Sequence, residues 1–451
     1  MRHRLDIAGR ALYGTGASVD LGGISGTTGL AGQVETLRGK TVLLLMRDQL
    51  PTALALLELD GIARRLILCP PDVKDDHLPM VITRGEVDAI VTDEVSGPKL
   101  GPPTIPYRIP LTPADSVGGL VGQTEWILMT SATTGAPKMV VHDLASLTDA
   151  IKPRSSVDPI TWATFYDIRR YGGLQIFLRS ILTASSMVLS DPEESASAFL
   201  RRLGTCGVTH ISGTPTHWRR ALMSGSVDKI DPKYIRLSGE IADQAILDNL
   251  RAFFPRASIG HAYASTEAGV AFEVDDGFEG FSVSLMGDCV NKVEMRVEEG
   301  SLRVRSPRVA SRYLGIDDAL ADDEGFVDTG DMLEKRDARY YFVGRRSGII
   351  NVGGLKVHPE EVEKVINLHR DVRFSLVKAR RSPITGALVV ADVVLKDERL
   401  LVASSAGEES LKDEILSMCR AALPPHKVPA MIRFVPSLAI ASSGKLARSH
   451  A

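Results

Sequence analysis

The chain has 451 residues, 44% of them hydrophobic and 24% charged, with a formal net charge of −3. That length exceeds one ordinary core and points to two or three domains, while the near-neutral charge gives no reason to expect nucleic acid or an anionic membrane surface as a partner. No run approaches the roughly 20 apolar residues that span a bilayer, and four scattered cysteines (Cys69, Cys206, Cys289, Cys419) support neither a disulfide frame nor a zinc site.

The first ten residues, MRHRLDIAGR, are basic but lack the apolar stretch of a signal peptide. The expectation is a soluble cytoplasmic protein. Residues 14–32 are glycine-rich without strand or helix period, and read as a flexible leader. From residue 39 the pattern alternates. TVLLLM (41–46) predicts a buried strand, PTALALLELDGIAR a helix opened by Pro51, and RLILC and DAIVTD two further strands. Such alternation indicates parallel sheets covered by helices. WILM (126–129) is another buried-strand signal. GGLQIFLRSILTA reads as a helix and SMVLS as a strand. From about 285 to 315 short alternating segments predict antiparallel β-structure, with a turn at Glu299-Gly300. The strand-like YYFVG then meets a polar junction, RRSG (345–348). Beyond it a compact α+β unit begins, its first helix starting at Pro359 with Val362, Val365 and Ile366 on one face. A last helical period runs from Glu409 to Leu423.

Chemistry concentrates in a few stretches. TSATTGAPK (130–138) follows a buried strand and gathers Thr130, Ser131, Thr133, Thr134, Gly135 and Lys138. Short hydroxyl side chains, backbone N–H groups and a lysine can cradle an anion, although the spacing is not that of the G-x-x-x-x-G-K-[ST] loop. Residues 25–32, SGTTGLAG, look like a second copy, but no strand precedes them and no lysine follows until Lys40. HAYASTEAG (261–269) puts an aromatic, two hydroxyls and a carboxylate on one short segment, and FVDTGDM (326–332) sets two carboxylates around a glycine. GRRSGIINVGGLKVHPEEVE (344–363) joins an arginine to a glycine-bearing hairpin, and ASSGKLAR (441–448) carries a glycine–lysine pair. Taken singly, Tyr263 reads as core, Asp328 and Asp331 as a solvated turn, and Lys445 as tail.

Their order and spacing, from about residue 39 onward, resemble the adenylate-forming superfamily of acyl- and aryl-CoA synthetases, peptide-synthetase adenylation domains and luciferases. The resemblance implies an α/β fold. A large N-terminal domain (1–344) would hold stacked α/β subdomains and a small β-rich part, followed by a small mobile α+β C-terminal domain (345–451). It implies an AMP-forming carboxylate–CoA ligase using ATP, Mg²⁺ and CoA on a small-molecule carboxylic acid. One alternative is acyl transfer to the phosphopantetheine of a separate carrier protein; another is a non-catalytic adenylate-binding homologue.

Residue by residue, loop 130–138 matches the family's phosphate loop. Thr266 and Glu267 match its α-phosphate and metal contacts, and Tyr263 the aromatic on adenine. Ser238, Gly239 and Glu240 match the segment along the base, and Asp331 with Arg345 the ribose contacts. Lys445 matches the lysine that bridges carboxylate and α-phosphate. Ser347 falls at the hinge, Gly353 and Gly354 at the pantetheine channel, and Arg170, Tyr171 and Gly213 at the acyl pocket, where Arg170, if it faces inward, would suit a second carboxylate or polar group. Ala132, Met139 and Ala264 stand where the family usually has glycine, so those turns must use ordinary dihedrals or carry strain.

Overall fold

The computed structural model describes residues 9–94, 100–114, 122–130, 137–153, 158–290, 292–382, 386–397 and 405–439. Its fold is mixed α/β. A seven-stranded sheet runs in the order Arg312–Tyr313, Lys138–His142, Glu125–Thr130, Arg65–Leu68, Thr41–Leu44, Ala89–Thr92, Thr104–Pro106. Its strands from Glu125–Thr130 onward are parallel and the first two pairings antiparallel. Thr41–Leu44 and Ala89–Thr92 are buried at every position, which is why they read as unbroken apolar runs rather than alternating ones.

An eight-stranded sheet follows the order Gly269–Val274, Ser258–Ser265, Tyr234–Ser238, His210–Gly213, Thr161–Thr164, Ser186–Val188, Ala11–Tyr13, Ser18–Asp20. One apolar cluster joins the two sheets, with Leu44, Leu66 and Leu128 from one and Leu12, Trp162 and Met187 from the other. A six-stranded antiparallel sheet holds Val293–Glu298, Ser301–Arg305, Val327–Arg336 and Arg339–Arg345 among its strands. Its expected turn is present, with Glu299 at φ 50° and Gly300 at φ 77°. Further on, Ile350–Val352 pairs with Leu355–Val357, and helix Pro359–Ile366 buries Val362 and Ile366. Helix Ser405–Ala422 and the strands Val372–Ser382, Gly386–Leu395 and Met431–Phe434 share a separate apolar cluster with them. No helix among the described residues is long and apolar enough to cross a membrane.

Two expectations need correction. The first helix spans Gln49–Leu59 rather than 51–64; Asp48 is its N-cap, and Pro51 is tolerated inside the first turn because that turn's N–H groups lack intrahelical partners. The supposed leader is structural. Ser18–Asp20 pairs antiparallel with Ala11–Tyr13, which in turn pairs in parallel with Met187 and Val188, and Thr27–Thr28 pairs with Thr112–Pro113. Leu12, Leu21, Ile24 and Leu30 are buried. Gly29 lies flat against Tyr107, whose ring would stand 2.3 Å from a Cβ there, and the Tyr107 hydroxyl and Gly29 N–H both donate to Glu58 Oε2. Gly29, one of the glycines that suggested flexibility, serves close packing.

Candidate active site

Antiparallel pairing of Glu125–Thr130 with Lys138–His142 places Thr130 directly across from Lys138, so the proposed phosphate loop connects two neighbouring strands. Ser131, Ala132, Thr133, Thr134 and Gly135 lie outside the described residues, as does Lys445. Lys138 Nζ sits 3.1 Å from Asp318 Oδ2 and 4.6 Å from the centroid of the Tyr313 ring. Met139 occupies a regular, buried strand position and Ala264 lies within Ser258–Ser265, so neither substitution needs a glycine conformation.

The Thr266–Glu267 turn is fastened by three contacts to strand Lys138–His142 and to segment 310–313. His142 Nε2 lies 2.7 Å from the Thr266 carbonyl, so Nε2–H donates and Nδ1 accepts from the Ser146 hydroxyl at 3.1 Å. Ala310 N–H donates to the Glu267 carbonyl. The Tyr313 hydroxyl bonds the Glu267 side chain, and burial together with that carboxylate pushes the phenol up to about 12. Burial drives His142 down to about 4, leaving it neutral. Sequence reading missed His142 and Tyr313, which carry no motif of their own.

Tyr263 stacks on Phe342 with ring centroids 4.9 Å apart and 15° between planes, and on Phe272 at 5.7 Å. Its hydroxyl donates to Asp331 Oδ2 at 2.5 Å, and Arg345 Nε donates to Asp331 Oδ1 at 2.9 Å. Asp331 and Arg345 are direct partners in an antiparallel pair. Asp328 points elsewhere, accepting from Ser301 and Arg346. The strand pairing Ser238↔Ala262 lays segment 238–240 beside 262–264. Gly239 adopts φ 82°, and Glu240 is held by the backbone N–H and hydroxyl of Thr216.

Arg170 does not offer a free charge. Its guanidinium meets both oxygens of Asp72 at 2.5 and 2.6 Å, on the wall of a cavity of about 260 Å³ that Phe165, Asp167 and His217 also line. That corrects the expectation that Arg170 awaits a second carboxylate. Tyr171 is buried in the core, 5.6 Å from the His142 ring, with its hydroxyl bonded to the Val270 backbone. Gly213 is required by packing, since a Cβ would stand 2.7 Å from the Phe165 ring. Ser347 sits in the single turn Arg346–Gly348. Gly353 and Gly354, at φ 57° and 85°, form the tip of the hairpin.

Among the described residues no group of three or more His, Cys, Asp or Glu side chains is placed to hold a metal ion by itself. Mg²⁺ needs none, because it keeps waters and substrate phosphate oxygens and takes one or two carboxylates; Glu267 fits that requirement.

Two family models match in the expected order: AMP-binding enzyme over residues 122–314, and AMP-binding enzyme C-terminal domain over 361–445. The chain belongs to the adenylate-forming superfamily of AMP-binding enzymes. It is 26% identical over 355 residues to 4-hydroxybutyrate–CoA ligase 1 of Metallosphaera sedula, a match covering 71% of this chain and 60% of that one. The 2-succinylbenzoate–CoA ligase of Bacillus cytotoxicus is 24% identical over 440 residues, covering 91% of this chain and 88% of its own. Among solved structures, an anthranilate CoA ligase in complex with anthranoyl-AMP superposes with a TM-score of 0.81 at 18% identity, covering 98% of this chain and 93% of that chain. The o-succinylbenzoate CoA synthetase of Bacillus subtilis superposes at 0.77 and 19%, covering 99% and 96%.

Proposed function

We propose that the protein is an AMP-forming carboxylate–CoA ligase with two domains, 1–344 and 345–451, the second moving between half-reactions. The observation that carries this reading is the Asp331 clamp. A carboxylate has about four lone-pair sites; Tyr263 and Arg345 take one on each oxygen and leave one on each for the two ribose hydroxyls. The stacked Tyr263 then offers its ring to adenine, with Ser238, Gly239 and Glu240 alongside.

The chemistry brings an anion to an anion, so positioning and charge neutralisation carry most of the catalysis. The substrate carboxylate attacks the α-phosphate of ATP and pyrophosphate leaves. Thr130, Ser131, Thr133, Thr134, Gly135 and Lys138 hold the β- and γ-phosphates. Thr266 contacts the α-phosphate from a turn that His142 and Tyr313 hold in place. Glu267 would hold Mg²⁺, which when bound would supply charge neutralisation on the phosphates. Lys445 bridges the carboxylate and the α-phosphate. Rotation about Ser347 then withdraws Lys445 and brings Gly353 and Gly354 to the channel through which the CoA thiol reaches the mixed anhydride.

The relatives named as CoA ligases support this reading. ATP–pyrophosphate exchange across a panel of acids tests it, followed by thioester formation with CoA. Acid-dependent exchange with CoA thioester as product is expected. Exchange with transfer only to a carrier protein reassigns the acceptor, and binding of ATP without exchange for any acid overturns the reading.

A further inference from the structure

The cavity of about 260 Å³ lies at the carboxyl ends of parallel strands from both large sheets, where open α/β sheets present their ligands. Asp72 follows strand Arg65–Leu68, whose neighbour Glu125–Thr130 runs into the phosphate loop. Phe165 follows Thr161–Thr164, and His217 follows His210–Gly213, whose neighbour Tyr234–Ser238 leads into segment 238–240. The cavity is thus one strand away from the proposed nucleotide site in each sheet. Its wall also touches that site: Thr216, next to His217, holds Glu240, and Arg170 Nη1 donates to the Met129 carbonyl at 3.4 Å. An acid lodged here can bring its carboxylate to the α-phosphate.

Where the wall meets the phosphate-loop strand, its charge is already matched. Asp72 stands in a tight turn in which the Val73 N–H donates to the Pro70 carbonyl, and Pro71 presets the backbone before it. Both Asp72 oxygens accept from Arg170 Nη2, at 2.5 and 2.6 Å, and Arg170 is itself the N-cap residue of helix Tyr171–Leu182. Two other wall carboxylates are paired as well, Asp167 with Arg169 and Glu194 with Arg202. Burial, then the charge of Arg220, lowers His217 to about 3, so it adds no cation. Arg220, the other guanidinium of the lining, is exposed to solvent. A second anion on the acid would have to displace Asp72, which the chain tethers at high effective concentration, or stand beside it against like-charge repulsion.

We infer that Asp72 is a specificity-determining residue: it occupies the Arg170 guanidinium and restricts the substrate to monocarboxylic acids with an uncharged far end. This rests on the ligase reading. Phe165 and Phe199 line the same cavity with their rings edge to face at 5.3 Å, a surface suited to an alkyl or aryl group.

The experiment pairs the acid that exchanges best with its size-matched counterpart, as hexanoate with adipate or benzoate with terephthalate, in ATP–pyrophosphate exchange. The wild type should prefer the monoacid. Asp72→Asn keeps the shape of the side chain and removes its charge at a position 36% exposed, where folding tolerates the loss. It should raise the ratio of diacid to monoacid kcat/KM about 10- to 100-fold, the scale of one charge-assisted hydrogen bond. Adding Arg170→Gln to Asp72→Asn should cancel that gain. A merely structural role for the pair would lower both acids together and leave the ratio where it was. A wild-type preference for the diacid, including one that Arg220→Gln removes, or an unchanged ratio in Asp72→Asn, overturns this inference and leaves the ligase reading standing. Absence of exchange with every acid overturns the reading beneath it.

Discussion

The Tyr263 hydroxyl gives its hydrogen to Asp331 Oδ2 at 2.5 Å, joining a strand of the eight-stranded sheet to one of the six-stranded sheet across 68 positions of sequence. The aromatic proposed for adenine and the carboxylate proposed for ribose are thus one unit. Burial and the Asp331 charge raise the Tyr263 phenol well above its ordinary value, so it stays a donor.

Separating the two roles is direct. Tyr263→Phe keeps the stack on Phe342 and loses the donor, and should raise the KM for ATP by about 2- to 10-fold, the worth of one neutral hydrogen bond. Asp331→Asn also leaves Arg345 without its carboxylate, and should weaken ATP binding by about 10- to 100-fold. Nucleotide titration by calorimetry checks the order of the two; a Tyr263→Phe effect as large as that of Asp331→Asn contradicts the clamp.

Acid sensitivity follows from two buried histidines. Burial lowers His142 to about 4 and His217 to about 3. Their folded values lie below the unfolded value near 6.5, so the unfolded chain takes up protons first as pH falls. Stability is therefore full above about pH 6.5 and declines from there toward pH 4, by about 3 kcal/mol for His142 alone. Urea unfolding at pH 7.5, 6 and 5 should show the decline. His142→Gln should flatten part of it, at the cost of loosening Thr266.

The amino-terminal segment gives a third test. Deleting residues 1–30 would remove Ala11–Tyr13 and Ser18–Asp20 from the eight-stranded sheet and Leu12, Leu21, Ile24 and Leu30 from the core. The truncated chain should fail to fold cooperatively, seen as loss of a thermal transition by circular dichroism. Gly29→Ala is the gentler probe. Its Cβ would meet Tyr107, and overpacking of this kind costs about 1–3 kcal/mol, lowering the melting temperature by several degrees.

Local pattern made much of this legible. Unbroken apolar runs marked Thr41–Leu44 and Glu125–Thr130, Glu299-Gly300 marked a hairpin, and Pro359 marked a helix start that the structure places at that residue. Tertiary pairing was not legible. Arg170 meets Asp72 across 98 positions, Arg179 meets Glu273 across 94, and His142 meets Thr266 across 124. Only the folded register joins them. The leader was misread for a related reason: glycine signals freedom locally, whereas Gly29 is glycine because Tyr107 lies against it.

The division of labour between the two half-reactions is the central claim, and Lys445→Ala set against Gly354→Leu tests it most directly. Gly354 sits at φ 85° with open space where a Cβ would stand, so leucine there strains the hairpin tip and adds bulk at the proposed channel. Pyrophosphate exchange and conversion of supplied acyl-adenylate to CoA thioester should be measured separately in each folded variant. Lys445→Ala should lose exchange by about 10²-fold or more, the scale of one preorganised transition-state charge, and still convert the adenylate. Gly354→Leu should keep exchange and lose thioester formation. Equal loss of both half-reactions in both variants would contradict the account.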